Sequence, residues 1–201
     1  MLDLFECRVD VWQLGPAVEI LKDLDRNAPN PASVWAHGAY ALLGLVFTYF
    51  EMIGKTLNSG SRPSGTAGVD FNYGFCDVYP SFAPAPGRDL TDPSIPEVAA
   101  FRDRVRNGIY HLGYTKGNLF LWNEPSQADF VVDTGSVDHK YYVNPHSATR
   151  TIVNHFPGFI GRVRVSVPLR ERFERFFTEL NSIRLRRIGE SGCATGSLKM
   201  A

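Results

Sequence analysis

The sequence predicts a mainly α-helical bundle that carries a small antiparallel β-hairpin or meander insertion at about residues 118–144. Three observations predict it. Apolar residues recur at helical spacing in long segments on both sides of that insertion. One of these segments, "AYALLGLVFTYFEMIG", is apolar nearly all round from Ala39 to Phe50, which marks a helix central to a bundle or packed on a partner chain. After Gly117 the pattern shortens to "NLFLW" (118–122), "DFVVD" (129–133) and "KYYVN" (140–144), β-like runs separated by the turn material "NEPSQA" and "TGSVDH".

Taken in order, "PAVEILKDLDR" (16–26) reads as a short helix with proline at its first position. "NAPNP" breaks the chain. The long apolar helix follows and is ended by Asn58-Ser59-Gly60. Residues 59–96 are rich in Gly, Pro and Ser and read as a long functional or mobile loop, pinned by Phe71, Tyr73, Phe75 and Tyr79. Pro96 opens a helix running to about Tyr114. Asn144-Pro145 resembles a cap followed by a proline at the first helical position, opening "PHSATRTIVNHF", with Pro157-Gly158 expected to kink or end that helix. In the last helix, "PLRERFERFFTELNSI", Leu169, Phe173, Phe176, Leu180 and Ile183 share one stripe. Residues 1–187 are expected to form a single domain, and 188–201, without a core-forming pattern, a flexible tail.

The chain has 201 residues, 44% hydrophobic and 21% charged, as in a soluble globular protein. A formal net charge of zero excludes a general polyanion binder. Charge is nevertheless uneven. Residues 1–95 carry 6 Lys/Arg against 11 Asp/Glu, and residues 96–187 carry 14 against 9. Such asymmetry accompanies some nucleic-acid binders, although solvated helix faces are its ordinary meaning. Cys7, Cys76 and Cys193 make neither a zinc pattern nor a disulfide framework, which fits a reducing cytoplasm. No segment reads as a signal peptide, and Glu51 interrupts the one apolar run, so no membrane role is expected.

The segment with the most chemistry is "VRNGIYH" (105–111). On a helical wheel Val98, Phe101, Val105, Gly108, Ile109 and Leu112 form one apolar arc that must face the core. Arg102, Asp103, Arg104, Arg106, Asn107, Tyr110, His111 and Tyr114 lie on the outward arc. Gly108, costing about 1 kcal/mol relative to alanine in a helix, is expected to permit close approach of the long apolar helix. An imidazole titrates near neutrality and can move a proton. A guanidinium clamps a phosphate and stabilises charge building on it. In RNA the ribose 2′-OH is a built-in nucleophile, so His, Arg and a clamped phosphate suffice for cleavage without a metal. The plainer alternative is an exposed helix face with a histidine near its end.

Arg106-Asn107-x3-His111, on a helix that follows a long apolar helix, resembles the HEPN superfamily (higher eukaryotes and prokaryotes nucleotide-binding domain). "RNGIYHLGYTKGN" is similar to a style found in uncharacterised bacterial members, and "VNPHS" to their continuation. The resemblance covers about residues 96–118, with weaker support from the preceding helix and from 140–160. It implies a HEPN-like helical bundle that forms a homodimer with its motif helices facing. It also implies metal-independent endoribonuclease activity at a composite cleft, without cofactor, or RNA or nucleotide binding. His111 would be the general acid/base, Arg106 the phosphate clamp and Asn107 the supporting polar residue, with Arg102, Tyr110 and Tyr114 contacting substrate. One toxin subset has a tyrosine two residues after the histidine. Gly113 stands there, so that subset's regulation by tyrosine modification does not transfer, while an antitoxin-like protein partner stays open. Other HEPN domains are non-catalytic interaction or nucleotide-binding modules, which is the alternative reading here.

Other constellations are weaker. His139, His146 and His155 have no metal-site spacing. His37 reads as a packed or capping histidine. No P-loop, nucleophile elbow or dinucleotide fingerprint is present. The C-terminal arginines 162, 164, 170, 172, 175, 184, 186 and 187 read as a solvated face, or as an RNA track if they line the same cleft as Arg106. A small-molecule enzyme with 59–96 as a lid has no residue-level support.

Overall fold

The computed structural model describes residues 1–26, 34–58, 67–83, 96–109, 117–122, 128–135 and 138–190. Helix α1 (Leu2–Val9) passes through a π-helical turn (Asp10–Leu14) into α2 (Gly15–Arg26). By sequence pattern the first helix starts only at Pro16, because Asp3, Glu6, Arg8 and Asp10 obscure the apolar spacing of Phe5, Val9 and Leu14, which are buried. The widened turn has a local cause. Pro16 has no N–H and its ring collides with the carbonyl four residues back in a regular helix. Just before it, the Gly15 N–H reaches five residues back to the Asp10 carbonyl.

Helix α3 (Val34–Asn58) is the axis of the molecule, with Leu42, Leu43, Phe47, Tyr49, Phe50 and Ile53 fully buried. Against it lies α4 (Ala67–Val78), followed by a 3₁₀ turn (Pro80–Phe82). Residues 59–96 are therefore not one long loop. Phe71 and Phe75, pins of a loop by the sequence pattern, are core residues of a helix: the Phe71 ring stacks on Phe47 at 5.4 Å, and the Phe75 ring meets Phe50 edge to face at 5.1 Å. Glycines let α3 and α4 approach so closely. A Cβ on Gly54 would overlap the Asp70 carbonyl oxygen, and one on Gly74 the Phe50 carbonyl oxygen.

Helix α5 (Pro96–Phe101) continues into a second π-helical stretch, Arg102–Asn107. Val98, Phe101, Val105 and Gly108 are buried, as the apolar arc requires. Strands β1 (Leu119–Leu121), β2 (Phe130–Asp133) and β3 (Lys140–Val143) form one sheet in the order β1-β3-β2. The expected antiparallel insertion is corrected here. Although β2 and β3 are antiparallel, with Phe130 opposite Val143, β1 runs parallel to β3, with Leu119 opposite Tyr141. The parallel pairing is made possible by the long connection through β2. It is favoured by burial, because Leu119, Phe130, Tyr141 and Val143 all face the core. Phe130 is the hub, with the rings of Phe75, Tyr79 and Phe101 each 5.0–5.1 Å away.

Asn144 caps α6 (Pro145–Val165) by accepting a 3.1 Å hydrogen bond from the Ser147 N–H. Pro157 neither ends nor divides this helix. It lies on the exposed side, while Phe156, Phe159, Ile160 and Val163 hold the helix to the core on the other. Extended Ser166 turns the chain into α7 (Val167–Glu190), which passes the expected domain end at 187. Phe173, Phe176 and Phe177 are buried there, but Leu180 of the expected stripe is exposed and Ile183's side chain lies outside the described residues.

Candidate functional site

Arg106 and Asn107 stand side by side on the second π-helical stretch. The wheel turned Arg106 outward. It instead swings back onto α3, where its Nε donates to Glu51 Oε1 at 2.7 Å and its Nη2 to Oε2 at 3.4 Å. Its Nη1 also donates to Asn107 Oδ1 at 3.3 Å. Asn107 in turn donates from Nδ2 to Asp103 Oδ1 at 3.2 Å. The wheel failed for two reasons. A π-helical stretch does not advance by 100° per residue. And Glu51, a carboxylate in an apolar helix, requires a cation. Side-chain exposures of 25% for Arg106 and 16% for Glu51 put the pair in partial shelter from water. Glu51 is the residue that sequence reasoning missed. Its signal was visible, since a lone acid in an almost wholly apolar helix is rarely buried without a partner.

The other expected site residues divide. Arg102 packs its guanidinium on the first turn of α4, with Nη1 only 2.7 Å from where a Gly68 side chain would begin. Arg104, not among the expected residues, lays its guanidinium over the Tyr141 ring at 4.2 Å, a cation–π contact. Tyr110, His111 and Tyr114 lie outside the described residues, as does the side chain of His37. The geometry thus joins Arg106, Asn107, Glu51 and Asp103 into one hydrogen-bonded chain beside Arg102 and Arg104. It can hold a guanidinium in a fixed pose, which is what a phosphate clamp needs.

A second polar cluster lies on the other side of α3. Tyr49 Oη is 2.8 Å from His155 Nδ1, and His155 Nε2 is 3.1 Å from Asp77 Oδ2. Arg162 clasps Asp77 with Nη1 at 2.9 Å and Nη2 at 2.5 Å. Burial alone would raise the Asp77 pKa, but hydrogen bonds from His155 and Arg162 prevail and hold it below the ordinary aspartate value. Burial, then the Asp77 charge, pushes the Tyr49 phenol far above its ordinary range, so it remains a protonated donor. With both imidazole nitrogens engaged inside the protein, His155 has no lone pair for a substrate proton. This cluster bolts α3, α4 and α6 together. A smaller bolt joins Tyr79 and Thr151, which donate to Asp129 Oδ2 at 2.8 and 2.6 Å.

His139 is exposed and His146 lies 3.4 Å from Asp25, its pKa lowered by burial. Among the described residues no three His, Cys, Asp or Glu side chains gather around a metal-sized point, and no helix is long and apolar enough to cross a membrane. The C-terminal arginines are partly spent on structure. Arg162 holds Asp77, Arg164 holds Asp3 and Glu6 of α1, and Arg172 donates to the Leu57 carbonyl at 2.9 Å. Comparison of the chain with protein-family models, with curated proteins and with solved structures finds no match.

Proposed function

We propose that this chain is a HEPN-like RNA-binding protein that acts as a homodimer and cleaves RNA without a metal. The observation that carries the reading is the Arg106–Asn107 pair, oriented on one surface by Glu51 and Asp103. In this mechanism Arg106 binds the scissile phosphate and stabilises the charge of its pentacoordinate state. His111 takes the 2′-OH proton as that oxygen attacks phosphorus, then returns a proton to the departing 5′-oxygen. Asn107 keeps Arg106 and the phosphate in register. The products are a 2′,3′-cyclic phosphate and a 5′-hydroxyl.

One observation favours a second reading, a non-catalytic helical module that binds RNA, a nucleotide or a protein: the charge of Arg106 is already met by Glu51. The test is cleavage of RNA in excess chelator by the wild type and His111→Ala. Loss of chelator-resistant cleavage in the variant supports the ribonuclease. Equal cleavage by both, or none by the wild type at any pH, overturns it. RNA binding without cleavage leaves the second reading standing.

A further inference from the structure

The mixed sheet has two unlike faces. Leu119, Tyr141, Val143 and Phe130 are buried against the helices. The opposite face carries Phe120 and Tyr142, which are register partners, and Val131, the register partner of Tyr142 on the other side. Trp122 follows Phe120 by two residues and stands on the same face. The three aromatic rings form a stack. Phe120 and Tyr142 are 5.4 Å apart at 28°, and Tyr142 and Trp122 are 4.8 Å apart at 25°. Phe120 is one end of it and is 47% exposed.

We propose that this stack is a platform for the bases of single-stranded RNA. The inference rests on the RNA reading above and names its binding surface. A row of near-parallel rings that ends in a half-exposed ring offers the next flat ring a stacking face, and it imposes no hydrogen-bond pattern. That is how sequence-tolerant single-strand binders hold bases. One further feature matches the ligand. Exposed Lys140, two residues before Tyr142 on the same face, provides a cation for the backbone. A protein partner would need a broad apolar face, whereas this one narrows at once to the charged register pair Asp133 and Lys140.

The test is fluorescence anisotropy of a labelled single-stranded RNA of about ten nucleotides, titrated with the full chain in a His111→Ala background so that nothing is cut. The same RNA with abasic positions is the control. Phe120→Ala should weaken binding about 5- to 100-fold. Phe120→Tyr should restore it, and Phe120→Leu, which keeps apolar area without a π face, should not. The abasic RNA should bind weakly and not respond to Phe120→Ala. If the parent binds RNA and Phe120→Ala binds equally, the platform is refuted and the RNA reading survives. If the parent binds no RNA, both fall. Phe120 is half-exposed, so its variants are expected to fold, and a thermal melt verifies this.

Discussion

Replacing Glu51 by glutamine keeps the shape of the side chain and one acceptor oxygen but deletes the charge that Arg106 faces. Two charge-assisted hydrogen bonds, at 2.7 and 3.4 Å, become at most one neutral acceptor contact. At about 3 Å and an effective dielectric constant of about 20, the Coulomb attraction is roughly 5 kcal/mol, most of it offset by desolvation. For a pair exposed by 16% and 25%, the net stabilisation expected is about 1–3 kcal/mol, above that of a surface ion pair. Glu51→Gln should therefore lower stability by about 1–2 kcal/mol, because it removes the carboxylate charge that the half-sheltered guanidinium faces. In Glu51→Gln/Arg106→Gln no charge is stranded, so the double variant should lose less than the sum of the singles. Urea unfolding of the four proteins, followed by circular dichroism, gives the coupling energy. A coupling below about 0.5 kcal/mol would place the pair among solvated surface contacts and remove the claim that Glu51 sets the pose of Arg106.

Three further outcomes are expected. Gly74→Ala should destabilise the fold by more than about 3 kcal/mol, or prevent folding, since its methyl group meets the Phe50 backbone rather than a movable side chain; a melt within about 2 °C of wild type would mean that α3 and α4 separate readily. Tyr49→Phe leaves one nitrogen of His155 without its partner and should cost about 1–3 kcal/mol in urea melts, and an unchanged midpoint would refute the contribution of this hydrogen bond. Asp77 is held below its ordinary pKa by His155 and Arg162, so its stabilising contribution is complete above the ordinary aspartate range and disappears as pH falls through the folded value. The stability gap between wild type and Asp77→Asn should thus hold near neutrality and narrow as pH falls below about 4, the ordinary aspartate value, and a gap that stays constant there would contradict the ion pair.

Elements whose signal is local periodicity were legible in the sequence: the long central helix, the apolar arc of the motif helix, and the Asn144-Pro145 start of α6. What was not legible depends on partners distant in the chain. Residues 67–78 read as loop because Gly68, Gly74 and the flanking Gly, Pro and Ser mimic turn material. In fact Gly74 is small so that α3 can lie against it. Strand order was beyond periodicity altogether, since the alternation of Tyr141 and Val143 states which face is buried and not which neighbour β3 takes. Pro157 misled in the same way. A proline weakens one turn locally, and the buried residues around it decide whether the helix goes on. In the hydrogen-bonded group around Glu51, the motif singles out Arg106 and Asn107, whereas Glu51 is visible in the sequence only as an interruption. His155 and Asp77 were separated by 78 positions, too far for any spacing rule to pair them.

Tyr49 and Glu51 are two residues apart on α3 and so point to nearly opposite sides of it. Tyr49 faces the bolt with α4 and α6, and Glu51 faces the motif helix. The pose of Arg106 is therefore tied by one carboxylate to the most buried element of the fold. Under the RNA reading, a phosphate arriving at Arg106 must either add to the Glu51 pair or displace it. Addition uses Glu51 as an orienting group, so Glu51→Gln should weaken RNA binding in the His111→Ala background. Displacement makes Glu51 a competitor, and the same change should tighten binding, about tenfold for each 1.4 kcal/mol of ion pair no longer broken. A shift in either direction ties Glu51 to the RNA site and chooses between the two. An unchanged affinity, in a protein whose double-variant cycle shows strong coupling, would show that Arg106 serves the fold and not the ligand.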